Sequence, residues 1–209
     1  MIEYELKGPA SQQRTRIRLG ASLKENHFPQ AVLIEGLPGI GKKALAIDLA
    51  KALCCTHATK RPCGECFGCK MIGDSGAVDN WVIPLESKEA KARKASDVSE
   101  GSSAKTVEEY TQMYVSKIIE NPYSIDYLSA ASEISVDLIR SLTGRFALKN
   151  DRVRCVIIAE ADRMNESASN ALLKTLEEVP PNTYFILTTS SREHLLQTIR
   201  SRCLSIHLP

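Results

Sequence analysis

The sequence predicts an α/β domain of three layers, in which helices cover both faces of a mainly parallel β-sheet. Helix-like and strand-like segments alternate along the 209 residues, which is typical of such a sheet. The strand-like segments include the short apolar runs 31–34, 154–159 and 184–189. A glycine-rich loop joins the first run to a helix, which is the order found where α/β domains hold phosphate.

The overall composition points to no special partner. Lys and Arg number 27 against 25 Asp and Glu, a net charge of +2, so nothing global requires a nucleic acid or a membrane. No apolar run approaches the roughly 20 residues that span a bilayer, and the N-terminus has no secretory pattern. We therefore expect a cytoplasmic protein, in which the clustering of five of the seven cysteines within residues 54–69 indicates metal rather than disulfides.

The glycine-rich loop reads Gly-Leu-Pro-Gly-Ile-Gly-Lys-Lys over residues 36–43. Its glycines, Gly36, Gly39 and Gly41, allow the backbone to aim N–H groups at phosphate oxygens, and Lys42 adds a positive charge. Lys43 stands where Ser or Thr would bind magnesium, and an ammonium group cannot coordinate a cation. The loop predicts a degenerate nucleotide site, and whether ATP or ADP still binds stays open.

A second departure concerns the same metal. In ATPases of this architecture an apolar strand ends in Asp-Glu, and here the strand 154–159 ends in Ala159, followed by Glu160. Lys43 and Ala159 thus replace two groups that serve one magnesium ion, so we expect little or no ATPase activity. For Glu160, a catalytic role and a capping or salt-bridge role both remain open.

The cysteines predict a structural zinc site. Cys63, Cys66 and Cys69 form two overlapping C-x-x-C pairs, and Cys54 or Cys55 supplies a fourth thiolate. Redox chemistry is the alternative, although disulfide oxidoreductases carry a single pair beside a thioredoxin-like unit. His57 is either an exposed residue or a further ligand. Cys155 lies within an apolar strand, which indicates a small core residue.

The middle of the chain changes character. Residues 86–105 are nearly all charged or small, which predicts a mobile loop. Residues 106–119 then show the spacing of an amphipathic helix that ends at Asn121-Pro122. Tyrosines recur at positions 110, 114, 123 and 127, where packing is favoured over a partner or nucleic-acid surface.

Several motifs together resemble the clamp-loader branch of the AAA+ ATPases. These are the loop, the cysteine cluster, the run Asn-Ala-Leu-Leu-Lys-Thr-Leu-Glu-Glu at 170–178 before Pro180, and Ser201-Arg202-Cys203. The similarity covers about residues 15–84 and 134–209, so residues 86–131 form an insertion. Lys43 and Ala159 favour the delta'-type subunits of bacterial DNA polymerase III over gamma/tau. The family's spacing selects Cys54 over Cys55 as the zinc ligand.

The resemblance implies one AAA+ domain over residues 1–209, with an inserted zinc module at about 54–72. It also implies that the whole protein continues into a helical lid and a C-terminal collar. The family favours a role for Arg202 in trans as an arginine finger at the nucleotide site of a neighbouring subunit, and the alternative is a surface arginine that pairs with a carboxylate. The implied partners are gamma/tau and delta subunits and, through the complex, the sliding clamp and primed DNA.

Two other functions remain to be weighed. One is an ATP-hydrolysing motor of the gamma/tau type, which would need magnesium held despite Lys43 and Ala159. The other is a zinc-dependent nucleic-acid-binding module, which the scarcity of aromatic residues near the cysteines other than Phe67 disfavours.

Overall fold

A five-stranded parallel sheet forms the centre of the molecule, as the sequence predicts. The computed structural model describes residues 2–25, 28–74, 78–92, 105–145 and 152–209. The strands are β1 (Glu3–Tyr4), β2 (Ala31–Gly36), β3 (Lys60–Arg61), β4 (Trp81–Val82), β5 (Arg154–Ile158), β6 (Thr183–Thr189) and β7 (Leu204–Leu208). The central sheet has the order β4-β5-β6-β2-β7, in which all neighbouring strands are parallel.

Eight α-helices accompany the strands within the described ranges. They are α1 (Gln13–Lys24), α2 (Lys42–Cys54), α3 (Phe67–Gly73), α4 (Ser87–Ala90), α5 (Val107–Glu120), α6 (Val136–Arg145), α7 (Glu166–Glu177) and α8 (Gln197–Arg202). Parallel strands need crossover connections, and most of the central strands are joined through these helices.

The sheet is apolar on both faces because helices cover both. In β5, Cys155 and Ile157 pack in one core cluster with residues of α1, α2 and α5, whereas Val156 and Ile158 pack in another with α6, α7 and α8. A strand that is buried on both faces consists of consecutive apolar residues, and these segments therefore do not alternate between apolar and polar residues. The prediction of a three-layer α/β fold is confirmed.

A second, two-stranded sheet ties the N-terminus to the cysteine segment. β1 pairs in parallel with β3, with Glu3 opposite Lys60 and Tyr4 opposite Arg61. The next residues lie against α2, where Asp48 accepts hydrogen bonds from the backbone N–H groups of Lys7 and Gly8, the latter at 2.7 Å. This anchors Pro9 beside the glycine-rich loop.

The region predicted as an insertion contributes to the core. Helix α5 begins at a Thr106–Glu109 capping box and buries Val115 and Ile118 completely against the sheet. The prediction of a helix in this position is confirmed. The prediction of a loop at 86–105 is wrong for its first part, because α4 forms there and buries Glu89 against the hydroxyl of Tyr114. Residues 93–104 lie outside the described residues.

Among the described residues, none of the helices combines the length and the apolar character that crossing a membrane requires.

If α5 belongs to the core, truncating its buried face must destabilise the whole domain. We expect Ile118→Ala to lower the free energy of unfolding by about 2–5 kcal/mol, the usual cost of such a deletion in a core. The exposed Gln112→Ala in the same helix serves as the control and should change it by less than about 0.5 kcal/mol. Urea denaturation measures both, and equal small effects would show that α5 is not part of the core.

Candidate functional site: the glycine-rich loop and the cysteine cluster

The glycine-rich loop lies between the end of β2 and the start of α2, at the carboxyl edge of the sheet. Gly39 and Gly41 have φ angles of +78° and +101°, which favour glycine. A Cβ atom on Gly41 would also stand 2.6 Å from the Cβ of Pro9. Glycine is therefore favoured at positions 39 and 41 by conformation, and at position 41 also by space.

Lys42 is turned back onto the loop. Its side chain is buried, and its Nζ donates to the carbonyl oxygens of Gly36 and Leu37 at 2.8 Å and to the Oγ of Ser190 at 2.9 Å. An ammonium group has three hydrogen-bond donors, so these contacts use all of them. Burial lowers the pKa of Lys42, while the nearby Glu160 acts in the opposite direction.

Lys43 is buried beside it and is held by groups from two other parts of the chain. Its Nζ donates to the carbonyl oxygen of Ser124 at 2.8 Å and pairs with the Oε1 of Glu160 at 3.4 Å. The same ammonium lies 4.3 Å from the centre of the Tyr127 ring, within reach of a cation–π interaction. Burial lowers the pKa of Lys43, and its interaction with Glu160 opposes this shift.

Glu160 serves as the partner of Lys43 and Tyr127. It follows Ala159 at the end of β5 with a left-handed φ of +51°, and its Oε1 accepts a hydrogen bond from the Tyr127 hydroxyl at 3.2 Å. Burial and the Glu160 carboxylate raise the pKa of Tyr127, so this hydroxyl stays protonated and donates. These contacts favour the salt-bridge interpretation of Glu160 that the sequence left open.

Two polar residues near the loop could not be singled out from the sequence. The Oδ1 of Asp162 accepts hydrogen bonds from the Thr189 hydroxyl at 2.8 Å and from the backbone N–H of Ser190 at 3.2 Å. Ser190 in turn accepts from Lys42. They come together because β5 and β6 are neighbours and end at the same edge, a relation that only the sheet order reveals.

A cavity of about 300 Å³ lies at the loop. Its walls come from the glycine-rich loop, from the end of β5 and from residues 121–128, which follow α5 and which we call the 121–128 segment. The segment contributes the following lining residues: Pro122, Ile125, Asp126, Tyr127 and Leu128. A site that the sequence predicts from the loop and β5 is thus completed by a part of the predicted insertion.

The cysteine cluster is formed by Cys55, Cys63, Cys66 and Cys69. Their sulfur atoms all lie within 4.8 Å of one another, with 3.9 Å between Cys63 and Cys69 and 3.8 Å between Cys66 and Cys55. A tetrahedral ion with metal–sulfur bonds of about 2.3 Å places its ligands about 3.8 Å apart. The four thiols therefore have a spacing that fits one tetrahedral metal ion.

The structure brings Cys55 into the cluster, and not Cys54, the ligand that the resemblance selects. Helix α2 ends at Cys54, and Cys55 adopts an extended conformation that turns its thiol towards the cluster. Of the two adjacent cysteines, Cys55 is therefore the one whose thiol lies with the other three. The Cys54 thiol instead lies 3.7 Å from the carbonyl oxygen of Val153. His57 is exposed, and its Nδ1 accepts hydrogen bonds from the Thr59 and Lys60 N–H groups.

The cluster stabilises negative charge on part of its sulfurs. Burial tends to raise the pKa of Cys66, but backbone N–H groups of Thr56 and Cys69 and the neighbouring thiols lower it to about 6. A backbone hydrogen bond from Cys66 also lowers the pKa of Cys63. Burial raises the pKa of Cys69 to about 12. A bound cation would remove the remaining protons, because the thiolate is the form that binds metal.

Arg202 is the last residue of α8, on the surface. Its Nη1 donates to the carbonyl oxygen of Thr198 at 3.0 Å, and its Nη2 pairs with the Oε1 of Glu177 in α7 at 2.9 Å. The guanidinium therefore has a partner within the chain, and this partner is itself half exposed.

The fold and the loop define the class of protein, a phosphate-loop α/β domain of the AAA+ type. The chain belongs to the family described as DNA polymerase III, delta subunit, which matches residues 11–209. The resemblance inferred from the motifs is confirmed.

Individual relatives have similar identities. The delta' subunit of DNA polymerase III from Escherichia coli is 29% identical over 89% of this chain and 44% of its own length. The delta' subunit from Pseudomonas aeruginosa is 31% identical over 95% of this chain and 48% of its own length. The tau/gamma subunit of Haemophilus influenzae is 31% identical over 91% of this chain and 22% of its own. The chain thus spans less than half the length of these relatives.

A solved structure has the same fold. A gamma subunit-related protein of DNA polymerase III from Thermotoga maritima superimposes with a TM-score of 0.51 at 16% identity, covering 90% of this chain and 45% of that one.

Proposed function

We propose that the chain is the phosphate-loop domain of a delta'-type subunit of the DNA polymerase III clamp loader. In this role it helps to place the sliding clamp on primed DNA in the cytoplasm, together with gamma/tau and delta subunits. Support comes from the family, from relatives that are delta' and tau/gamma subunits, and from the glycine-rich loop. The observation that carries the proposal is the burial of the Lys43 ammonium against Glu160 where a magnesium ligand would stand.

The same observation predicts that the chain hydrolyses little or no ATP. Phosphoryl transfer depends on magnesium bridging the β- and γ-phosphates. A cation at the hydroxyl position repels the metal, and Ala159 offers no oxygen from the other side. Glu160, which would polarise the attacking water in an active site, is engaged by Lys43 and Tyr127.

Arg202 is the residue that we propose to act on a neighbour. It is exposed at the end of a helix, and the surface ion pair that holds it contributes little free energy, so it can be exchanged for another acidic group. An arginine finger stabilises the charge that develops on the γ-phosphate and accelerates hydrolysis by about 10³–10⁵ at the site that it completes.

The Arg202 proposal predicts a loss of ATP hydrolysis in the reassembled loader. With Arg202→Ala, hydrolysis at the neighbouring site should fall by about 10³-fold or more in a single-turnover assay with clamp and primed DNA. Glu177→Ala is the matched control, because it breaks the same ion pair and leaves the arginine in place. If Arg202→Ala hydrolyses ATP like the control, Arg202 is no arginine finger.

The alternative function is that of a gamma/tau-type motor, which tau/gamma relatives of similar identity support. A motor must hold magnesium at its own phosphate loop and hydrolyse ATP there. Hydrolysis by the purified 209-residue chain distinguishes the two, since a motor predicts magnesium-dependent turnover of at least about 10⁻⁴ per second even without the arginine finger of a neighbour. The delta'-type role predicts no hydrolysis above background.

For the cysteine cluster we propose a structural zinc ion held by Cys55, Cys63, Cys66 and Cys69. Four thiolates fill the coordination sphere and leave no position for a substrate, which is typical of structural zinc. The ion would tie the end of α2 to α3, whose Gly68 packs so closely that a Cβ atom would stand 1.9 Å from the carbonyl oxygen of Cys54. The zinc would thus stabilise a connection, because metal binding free energy adds to folding free energy.

The zinc proposal is tested by exchanging the two adjacent cysteines separately. We expect the native chain and Cys54→Ser to bind about one zinc ion per chain, and Cys55→Ser to bind it at least tenfold more weakly, because one of four ligands is lost. Competition with a chromogenic chelator measures the affinity. Zinc retained by Cys55→Ser and lost by Cys54→Ser would contradict the assignment.

A further inference from the structure

The 121–128 segment lies directly against the glycine-rich loop. The carbonyl oxygen of Ser124 accepts a hydrogen bond from Lys43, and the ring of Tyr127 lies beside the same ammonium. Tyr127 is 6% exposed, and its hydroxyl is bound to Glu160. The segment is thus fastened to Lys43, which stands at one altered metal position, and to Glu160, which directly follows the other, Ala159. Ser124 is 81 residues from Lys43 in sequence, and Tyr127 is 33 residues from Glu160.

The segment also lies beside Gly39 and Gly41 of the glycine-rich loop. The Cε1 atom of Tyr123 stands 3.0 Å from the position of a Cβ atom on Gly41, and the Cγ2 atom of Ile125 stands 3.7 Å from that on Gly39. These contacts occupy the space beside the loop. A triphosphate that binds along the loop needs the same space, because its oxygens must approach the loop backbone closely.

The charges at the loop are already matched within the chain. The three N–H donors of the Lys42 ammonium bind Gly36, Leu37 and Ser190. The charge of Lys43 is balanced by the Glu160 carboxylate. A nucleotide would have to replace these contacts as well as displace the segment. The cavity of about 300 Å³ that remains is at the lower end of the range for pockets that hold a small-molecule ligand.

From these contacts we propose that the 121–128 segment is a built-in plug, which competes with nucleoside triphosphates for the glycine-rich loop and keeps it empty. This goes beyond the loss of magnesium ligands, because it concerns binding and not hydrolysis. Affinity for a ligand is reduced by the fraction of molecules whose site is open, so releasing the plug raises the affinity even when Lys43 and Ala159 are unchanged. The proposal does not depend on the role of Arg202.

The test removes the anchor of the plug and adds no new ligand for phosphate. We expect Tyr127→Ala to bind a fluorescent ATP analogue at least tenfold more tightly than the native chain, in EDTA so that magnesium plays no part. Tyr110→Ala is the matched control, because it deletes a tyrosine that packs on the same core from α5, and it should leave the affinity unchanged. Fluorescence anisotropy measures the dissociation constants.

Two further variants guard against misfolding of Tyr127→Ala. Ile125→Ser changes an exposed side chain that lines the cavity at the loop, and Tyr127→Phe removes only the hydroxyl that binds Glu160. Each should gain affinity by a smaller factor than Tyr127→Ala, while circular dichroism shows a native fold. The proposal is overturned if folded variants bind the analogue no better than the native chain, or if the native chain already binds it as tightly as they do.

Discussion

The burial of the Lys43 ammonium is the constraint on which the rest of the site depends. A buried cation must be paired, and the pairing draws on two distant parts of the chain. Glu160 comes from the end of β5, and Ser124 and Tyr127 come from the segment after α5. At the position where an ATPase binds magnesium, this chain has a lysine that joins two parts of the fold, and the Glu160 carboxylate takes part in the same contacts.

Because of these contacts, the carboxyl edge of the central sheet packs against the 121–128 segment. In an active phosphate-loop protein the carboxyl ends of the strands hold nucleotide, and here they hold part of the protein. Neither Arg202 on α8 nor the cysteine cluster at the end of α2 lines the cavity at this edge. The domain thus keeps the glycine-rich loop of a phosphate-binding fold, while the role that we propose for it depends on contacts with neighbouring subunits.

The sequence predicts those parts of the structure that depend on local patterns. The apolar runs, the glycine-rich loop and the helix at 106–119 are recognisable because period, turn residues and caps are short-range signals. The sequence does not predict that Cys55 rather than Cys54 joins the cluster, because this depends on the residue at which α2 ends. The ends of helices are the least reliable part of a prediction from sequence. The sequence also does not predict which distant residues lie at the loop, because only tertiary packing brings them there. These residues are Ser124, Tyr127, Asp162 and Ser190.

The most direct test of this account measures the coupling between Lys43 and Glu160. In a double-mutant cycle, Lys43→Met, Glu160→Gln and the double variant are compared by urea denaturation of the 209-residue chain. The account predicts that the double variant is more stable than the sum of the single effects implies, by about 1–3 kcal/mol, because each single change leaves a buried charge without its partner. Additivity within about 0.5 kcal/mol would show that the pair is incidental and would contradict the account.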